Sequence, residues 1–105
     1  MKGILIDGPS QKLYELDMPS SHLAMEEEIG TRFWVMRRLA GLHHGCVLFH
    51  AEGRNKGYED FTFLGIGYSG CGLVCSIDVY GDLGSSVLSA DEVAEHLTWG
   101  EHGRR

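Results

Sequence analysis

Apolar positions in this chain recur mainly at a spacing of two, the period of a strand whose alternate side chains face a core. Lys2 to Asp7 is a short apolar run closed by the turn residues Gly8-Pro9-Ser10. Lys12 to Asp17 then alternates, with Leu13 and Tyr14 on opposite sides, so the two segments predict a hairpin. The clearest pattern runs from Leu73 to Tyr80. Leu73, Cys75, Ile77 and Val79 form its apolar side, against Val74, Ser76, Asp78 and Tyr80. Cys46 to Ala51 reads as another strand, as does Tyr58 to Leu64 with Phe61 and Phe63 two apart. The glycine-rich stretch from Gly65 to Gly72 reads as a loop or hinge, and Gly81-Asp82-Leu83-Gly84 as a turn.

Two segments carry helix punctuation instead. Ser20 or Ser21 can cap a helix over His22 to Ile29, and Gly30 suits the left-handed residue past its end. Leu23, Ile29 and Met25 are its apolar residues and are expected to face the sheet, with Glu26, Glu27 and Glu28 toward water. These glutamates lie late in the helix, where the dipole disfavours negative charge, so the helix depends on tertiary packing. Ser89-Ala90-Asp91-Glu92 is a capping box that opens a second helix through about Leu97. Arg32 to Leu39 stays open between strand and helix. Its aromatic and branched residues favour a strand, with Phe33, Val35 and Arg37 on one side and Trp34, Met36 and Arg38 on the other.

The chain has 105 residues, room for one domain. The elements add up to a single α+β domain over 1–97: a mainly antiparallel sheet, a short helix after the N-terminal hairpin and a capped C-terminal helix. Residues 98–105 are expected to fray. No apolar run approaches the ~18 residues that a membrane-spanning helix needs, and the N-terminus does not read as a signal peptide. The expected location is cytoplasmic. Three cysteines, Cys46, Cys71 and Cys75, then read as free thiols.

Charge changes the picture more than composition does. The net charge is −6, and residues 58–105 carry all of it, with two basic and eight acidic side chains; residues 1–57 balance at seven of each. Such a half repels phosphates, which argues against nonspecific nucleic-acid binding. It is either a solvated face that aids solubility or a surface for a basic partner.

The order of elements, together with particular segments, resembles a family of small uncharacterised proteins encoded by phages, plasmids and integrated elements. The segments are Gly3-Ile4-Leu5-Ile6-Asp7 with Leu13-Tyr14-Glu15-Leu16; Glu28-Ile29-Gly30 before Phe33-Trp34-Val35; Leu48 to Arg54; and Gly72 to Asp78 followed by Leu88-Ser89-Ala90-Asp91-Glu92. The resemblance spans roughly residues 1–97 and brings no catalytic residue. It implies an accessory protein of a mobile element, of a kind that often binds a host protein or a signalling molecule. That step is by analogy.

Candidate chemistry is sparse. His43, His44, Cys46 and His50 cluster within eight residues, with Cys71 and Cys75 further on, but the spacing fits no compact zinc signature. Turn histidines and core thiols are the plainer reading, and no metal or cofactor is expected. Cys46 with His44 or His50 sketches a nucleophile and base, the basis for a cysteine-dependent hydrolase. Gly65-x-Gly67-x-x-Gly70 spells a dinucleotide fingerprint in letters, yet a strand follows where the phosphate site needs a helix. The same loop beside Arg37, Arg38, His43, His44, His50, Gly67 and Tyr68 sketches an anionic pocket with a stacking ring, hence a protein that sequesters a nucleotide signal. Trp34 and Trp99 read as core or interface anchors.

The preferred expectation is a non-enzymatic inhibitor of a host defence system. It would occlude a host protein complex through an acidic surface that includes Glu26, Glu27, Glu28, Asp60 and Asp82. The edge strand Lys12 to Asp17 leaves a homodimer open.

Overall fold

Backbone pairing, rather than helix packing, organises the molecule. The computed structural model describes residues 1–19, 21–30, 34–39, 45–50 and 60–100. Along the chain run β1 (Lys2–Asp7), β2 (Lys12–Asp17), α1 (His22–Ile29), β3 (Trp34–Arg38), β4 (Gly45–His50), β5 (Phe61–Phe63), β6 (Ile66–Tyr68), β7 (Cys71–Ile77), β8 (Leu83–Gly84), α2 (Ala90–Glu95) and β9 (Leu97–Trp99). This is the expected α+β class. Residues 32–33 lie outside the described residues, and Trp34 to Arg38 resolves the open segment as a strand.

Among the described residues the main sheet is antiparallel in the order β2-β1-β7-β4-β3, with β8 beside the end of β7. The expected hairpin is β1–β2, with Lys2 opposite Asp17 and Asp7 opposite Lys12. A second antiparallel sheet has the order β6-β5-β9.

The inner strands are nearly continuous apolar runs because both faces of the main sheet are covered. Ile4 and Ile6 of β1, Val47 and Phe49 of β4 and Val74 of β7 point to one side, where Phe61, Phe63, Tyr68, Leu88 and Val93 of the second sheet and the α2 region meet them. Leu5, Cys46, Leu48, Leu73, Cys75 and Ile77 point to the other side, under Met25 and Ile29 of α1. The result is a stack of three layers. Val74, expected on the polar side of its strand, is 0 % exposed.

That strand also ends sooner than its alternation suggests. Asp78 Oδ1 accepts hydrogen bonds from the backbone N–H groups of Tyr80 (2.8 Å) and Asp82 (2.9 Å), which turns the chain. Val79, expected to continue the inward face, is therefore 79 % exposed. Leu23 departs from expectation as well. It is 66 % exposed, and α1 docks through Met25 and Ile29, one turn apart.

Local signals place the helix ends. Ser21 accepts from the Ala24 N–H, and Gly30, at φ 85°, closes α1 by donating to the Glu26 carbonyl at 2.8 Å. In α2, the Ser89 hydroxyl accepts from the Glu92 N–H (3.1 Å) while the Glu92 carboxylate accepts from the Ser89 N–H (3.2 Å). The helix stops at Glu95 rather than near Leu97, because Leu97 to Trp99 pair with β5, Thr98 lying opposite Thr62.

Two expectations change as a result. Thr98 and Trp99 are strand residues, not part of a frayed tail, and Gly100 donates its N–H to the Asp60 carbonyl at 2.7 Å. Residues 101–105 lie outside the described residues. The supposed loop at Gly65 to Gly72 contains β6 and the start of β7, joined to β5 by the two-residue turn Leu64-Gly65. Both turn residues have positive φ, 49° and 82°, as a tight hairpin with the twist of its strands requires. Leucine in that region costs roughly 1–2 kcal/mol, and Leu64 offsets this by packing on the core.

Leu73→Ala is expected to lower unfolding free energy by about 2–5 kcal/mol, since Leu73 is fully buried in the central strand. Val79→Ala, past the strand end, is expected to change it by less than ~0.5 kcal/mol. Urea denaturation followed by tryptophan fluorescence checks both.

Candidate functional site

The residues singled out from sequence separate into three places. Arg37 and Arg38, on the edge strand β3, share a cavity of about 110 Å³ with Leu39, Phe63, Leu64, Ile66 and Tyr68. The guanidinium groups are exposed and the floor is apolar. Tyr68 offers no free stacking face, however. It is 1 % exposed, with Phe61 stacked at 5.2 Å between centroids and Phe49 edge-on at 4.8 Å. Gly67 lies in β6 opposite Thr62. His43 and His44 lie outside the described residues.

His50 is not with the arginines. It ends β4, opposite Trp34, and lines a second cavity of about 140 Å³ with Pro9, Ile29, Asp60, Ser69, Gly70 and Cys71. Four residue types often used in catalysis surround this space, and its charge state is readable at one of them. Burial first, then the nearby Asp7 carboxylate, pushes the Cys71 thiol up to about 11. The thiol donates toward Asp7 Oδ1 at 3.9 Å. At neutral pH it is protonated and a poor nucleophile.

Asp60 corrects the sequence reading. Assigned to an acidic surface, it is 5 % exposed. Its Oδ2 accepts the Gly70 N–H at 2.6 Å, its N–H donates to the Tyr68 carbonyl at 2.8 Å, and its own carbonyl accepts from Gly100. Gly8 stands against it, where any Cβ would collide with the Gly70 carbonyl oxygen and the Asp60 side chain. Asp60 thus fastens the β6–β7 turn to the C-terminal strand, and the β1–β2 turn packs against it, held by the Gly8 N–H donating to the Gly70 carbonyl. No position value in the sequence marks it, because all three partners are distant along the chain.

The strand geometry also separates Cys46 from His50. The two share a face of β4 but stand four residues apart, about 13 Å at strand rise. His50 therefore neither activates Cys46 nor shares a metal ion with it. Among the described residues no group of three or more His, Cys, Asp and Glu side chains is placed to hold a metal. What stands opposite Cys46 is Cys75, with the sulfurs 3.5 Å apart. Periodicity put Cys75 on an apolar face and Cys46 at the start of a strand, and left their pairing unspecified.

The acidic positions present a simpler picture. Among the described residues the basic side chains are Lys2, Lys12, Arg37 and Arg38, against twelve acidic ones. Glu27 and Asp82 are exposed, and Glu26 and Glu28 are half-buried. Lys2 pairs with Glu15 at 3.0 Å, and the N-terminal ammonium lies 3.9 Å from Asp17. Among the described residues no ion pair involves Glu26, Glu27 or Glu28, and the last turn of α1 holds no basic residue. No helix is long and apolar enough to cross a membrane among the described residues.

No protein-family model matches this chain, and no curated protein or solved structure matches it with significance.

Alkylation of Cys71 is expected to be slow at pH 8 and to rise through pH 11, following its thiolate. The raised folded value also means that the stability held by the neutral thiol is complete below about pH 9 and is lost as pH climbs through about 11. Pulsed alkylation with peptide mapping at a series of pH values measures the first, and urea midpoints over the same range measure the second.

Proposed function

We propose that this chain is a non-enzymatic binding protein of a phage or mobile element, and that it inhibits a host defence complex by covering a basic groove. The genetic setting rests on the resemblance of its segments to small mobile-element proteins. The mode of action rests on α1. Three consecutive glutamates occupy the C-terminal half of an eight-residue helix, against its dipole, and among the described residues no cation pairs with them.

This arrangement works against the free protein. A carboxylate near a helix C-terminus costs about 0.3–1 kcal/mol, and a neighbouring one adds repulsion. A basic partner removes that cost on binding, so part of the interaction energy is already stored as unfavourable charge in the unbound state. Electrostatic attraction of this kind mainly accelerates encounter and selects partners of opposite sign. The exposed acids Asp78, Asp82, Asp91, Glu92 and Glu95 extend the same sign over the C-terminal half.

Arg37 and Arg38 beside one cavity favour a second reading, sequestration of a nucleotide signal. A space of about 110 Å³ is below the 300 Å³ or more usual for small-molecule sites, so it would accept an anionic group rather than a whole nucleotide.

Glu27→Gln is expected to raise stability by a few tenths of a kcal/mol while weakening capture of a bacterial complex by the immobilised protein. Replacing Glu26, Glu27 and Glu28 with lysine is expected to abolish capture, and in the unaltered protein capture should fall with added salt and with competing DNA. Capture that survives charge reversal and high salt would remove the basis for occlusion. A rise in melting temperature with one member of a nucleotide panel, lost in Arg37→Ala, would move the assignment to sequestration.

A further inference from the structure

Cys46 and Cys75 are the buried chemistry that the acidic-surface reading leaves unused. They are direct partners across the β4–β7 ladder, and Arg38 on β3 is in turn the direct partner of Cys46. One row across three strands therefore reads arginine, cysteine, cysteine. Directly opposed residues of antiparallel strands have Cα atoms roughly 4.5–5.5 Å apart, inside the range that a disulfide spans. The sulfurs stand at 3.5 Å in contact, so each must move by less than ~1 Å to reach bonding distance.

We propose that Cys46 and Cys75 are an oxidisable dithiol that closes a disulfide across β4 and β7 when the protein meets a peroxide. Cys46 is the attacking sulfur. The Cys75 thiol hydrogen-bonds to it and draws its pKa down, burial opposes this, and the Arg38 charge adds to the lowering. Cys75 is pushed up by the same hydrogen bond and by burial, so of the two sulfurs Cys46 is the one that ionises more readily.

The Cys46 thiolate attacks one peroxide oxygen and the O–O bond breaks. The other oxygen leaves as hydroxide and takes up the proton that Cys46 released, giving water. With Cys46 now a neutral sulfenic acid, its charge no longer holds the Cys75 proton. The Cys75 sulfur attacks the Cys46 sulfur, the S–O bond breaks, and the hydroxyl leaves with the Cys75 proton as a second water. Two thiols and one peroxide give one disulfide and two waters.

Cys71 is excluded as the partner. It lies on β7 four residues from Cys75, about 13 Å at strand rise, and beyond the reach of a disulfide. The dithiol sits beneath Met25 and Ile29 of α1, so the oxidant must be small, and hydrogen peroxide is little larger than water.

The test treats reduced, folded protein with hydrogen peroxide, then denatures it in an alkylating agent for mass spectrometry. Free thiols are expected to fall from three to one. The mass loss should be two hydrogens, and the Cys46 and Cys75 peptides should be joined. Cys71 should be the alkylated residue, no disulfide should join two copies when reductant is absent, and dithiothreitol should restore all thiols. Cys71→Ser should give the same bridge, and Cys75→Ser should leave a Cys46 sulfenic acid that dimedone traps. If Cys75→Ser does not fold, Cys71→Ser alone decides. Retention of three thiols, a bridge to Cys71, a bridge between two copies, or over-oxidation of Cys46 with no bridge would each overturn the proposal.

Discussion

A central antiparallel strand that is buried on both faces cannot exist without something on each side of it, and β7 is in that position. Leu73, Cys75 and Ile77 point one way and Val74 the other, and all are buried. Each fully buried aliphatic side chain contributes on the order of 1.5–3 kcal/mol relative to exposure, so leaving either face bare would forfeit several such terms. The layers follow from this. α1 is held by Met25 and Ile29 on the first face, although its glutamates oppose its own dipole. On the second face the small β6-β5-β9 sheet and α2 close over Ile4, Ile6, Val47, Phe49 and Val74.

The same layering sorts polar residues by consequence. Those caught between layers are hydrogen-bonded, as Asp60 is to the Gly70 N–H, and serve to tie distant segments together. The thiols of Cys46 and Cys75, trapped beneath α1, contact each other. Charges outside the layers face solvent, and among the described residues they are mostly carboxylates on α1, α2 and the turn after β7. The acidic exterior and the buried dithiol are therefore separate properties, one set by surface charge and the other by strand register.

Much of the architecture was legible from local signals. The β1–β2 hairpin, the Ser21 and Gly30 ends of α1 and the Ser89–Glu92 capping box depend on residues within a few positions of each other, where side chains and backbone interact directly along the chain. Alternation also identified the Leu73 segment as a strand. It misjudged Val79 because an alternating pattern carries no mark of where Asp78 turns the backbone, and it misjudged Val74 because it presumes one wet face. The candidate site was far less legible: Glu27 and Asp82 lie at the surface as expected, whereas Asp60 is inside, Tyr68 is enclosed by phenylalanines, and His50 faces a different cavity from Arg37 and Arg38.

By itself, then, the amino-acid order determined the β1–β2 hairpin, the strand character of the Cys46 and Leu73 segments, where the helices begin and the sign of the charge that the protein carries. Propensity, capping and composition act over a few residues or over the whole chain, and they need no knowledge of neighbours in space. Only the tertiary structure decided that two sheets rather than one enclose the core, that Leu97 to Trp99 leave α2 to pair with β5, and that Cys46 meets Cys75. Those outcomes depend on strand order and register, which residues far apart in sequence settle together by burying both faces of β7.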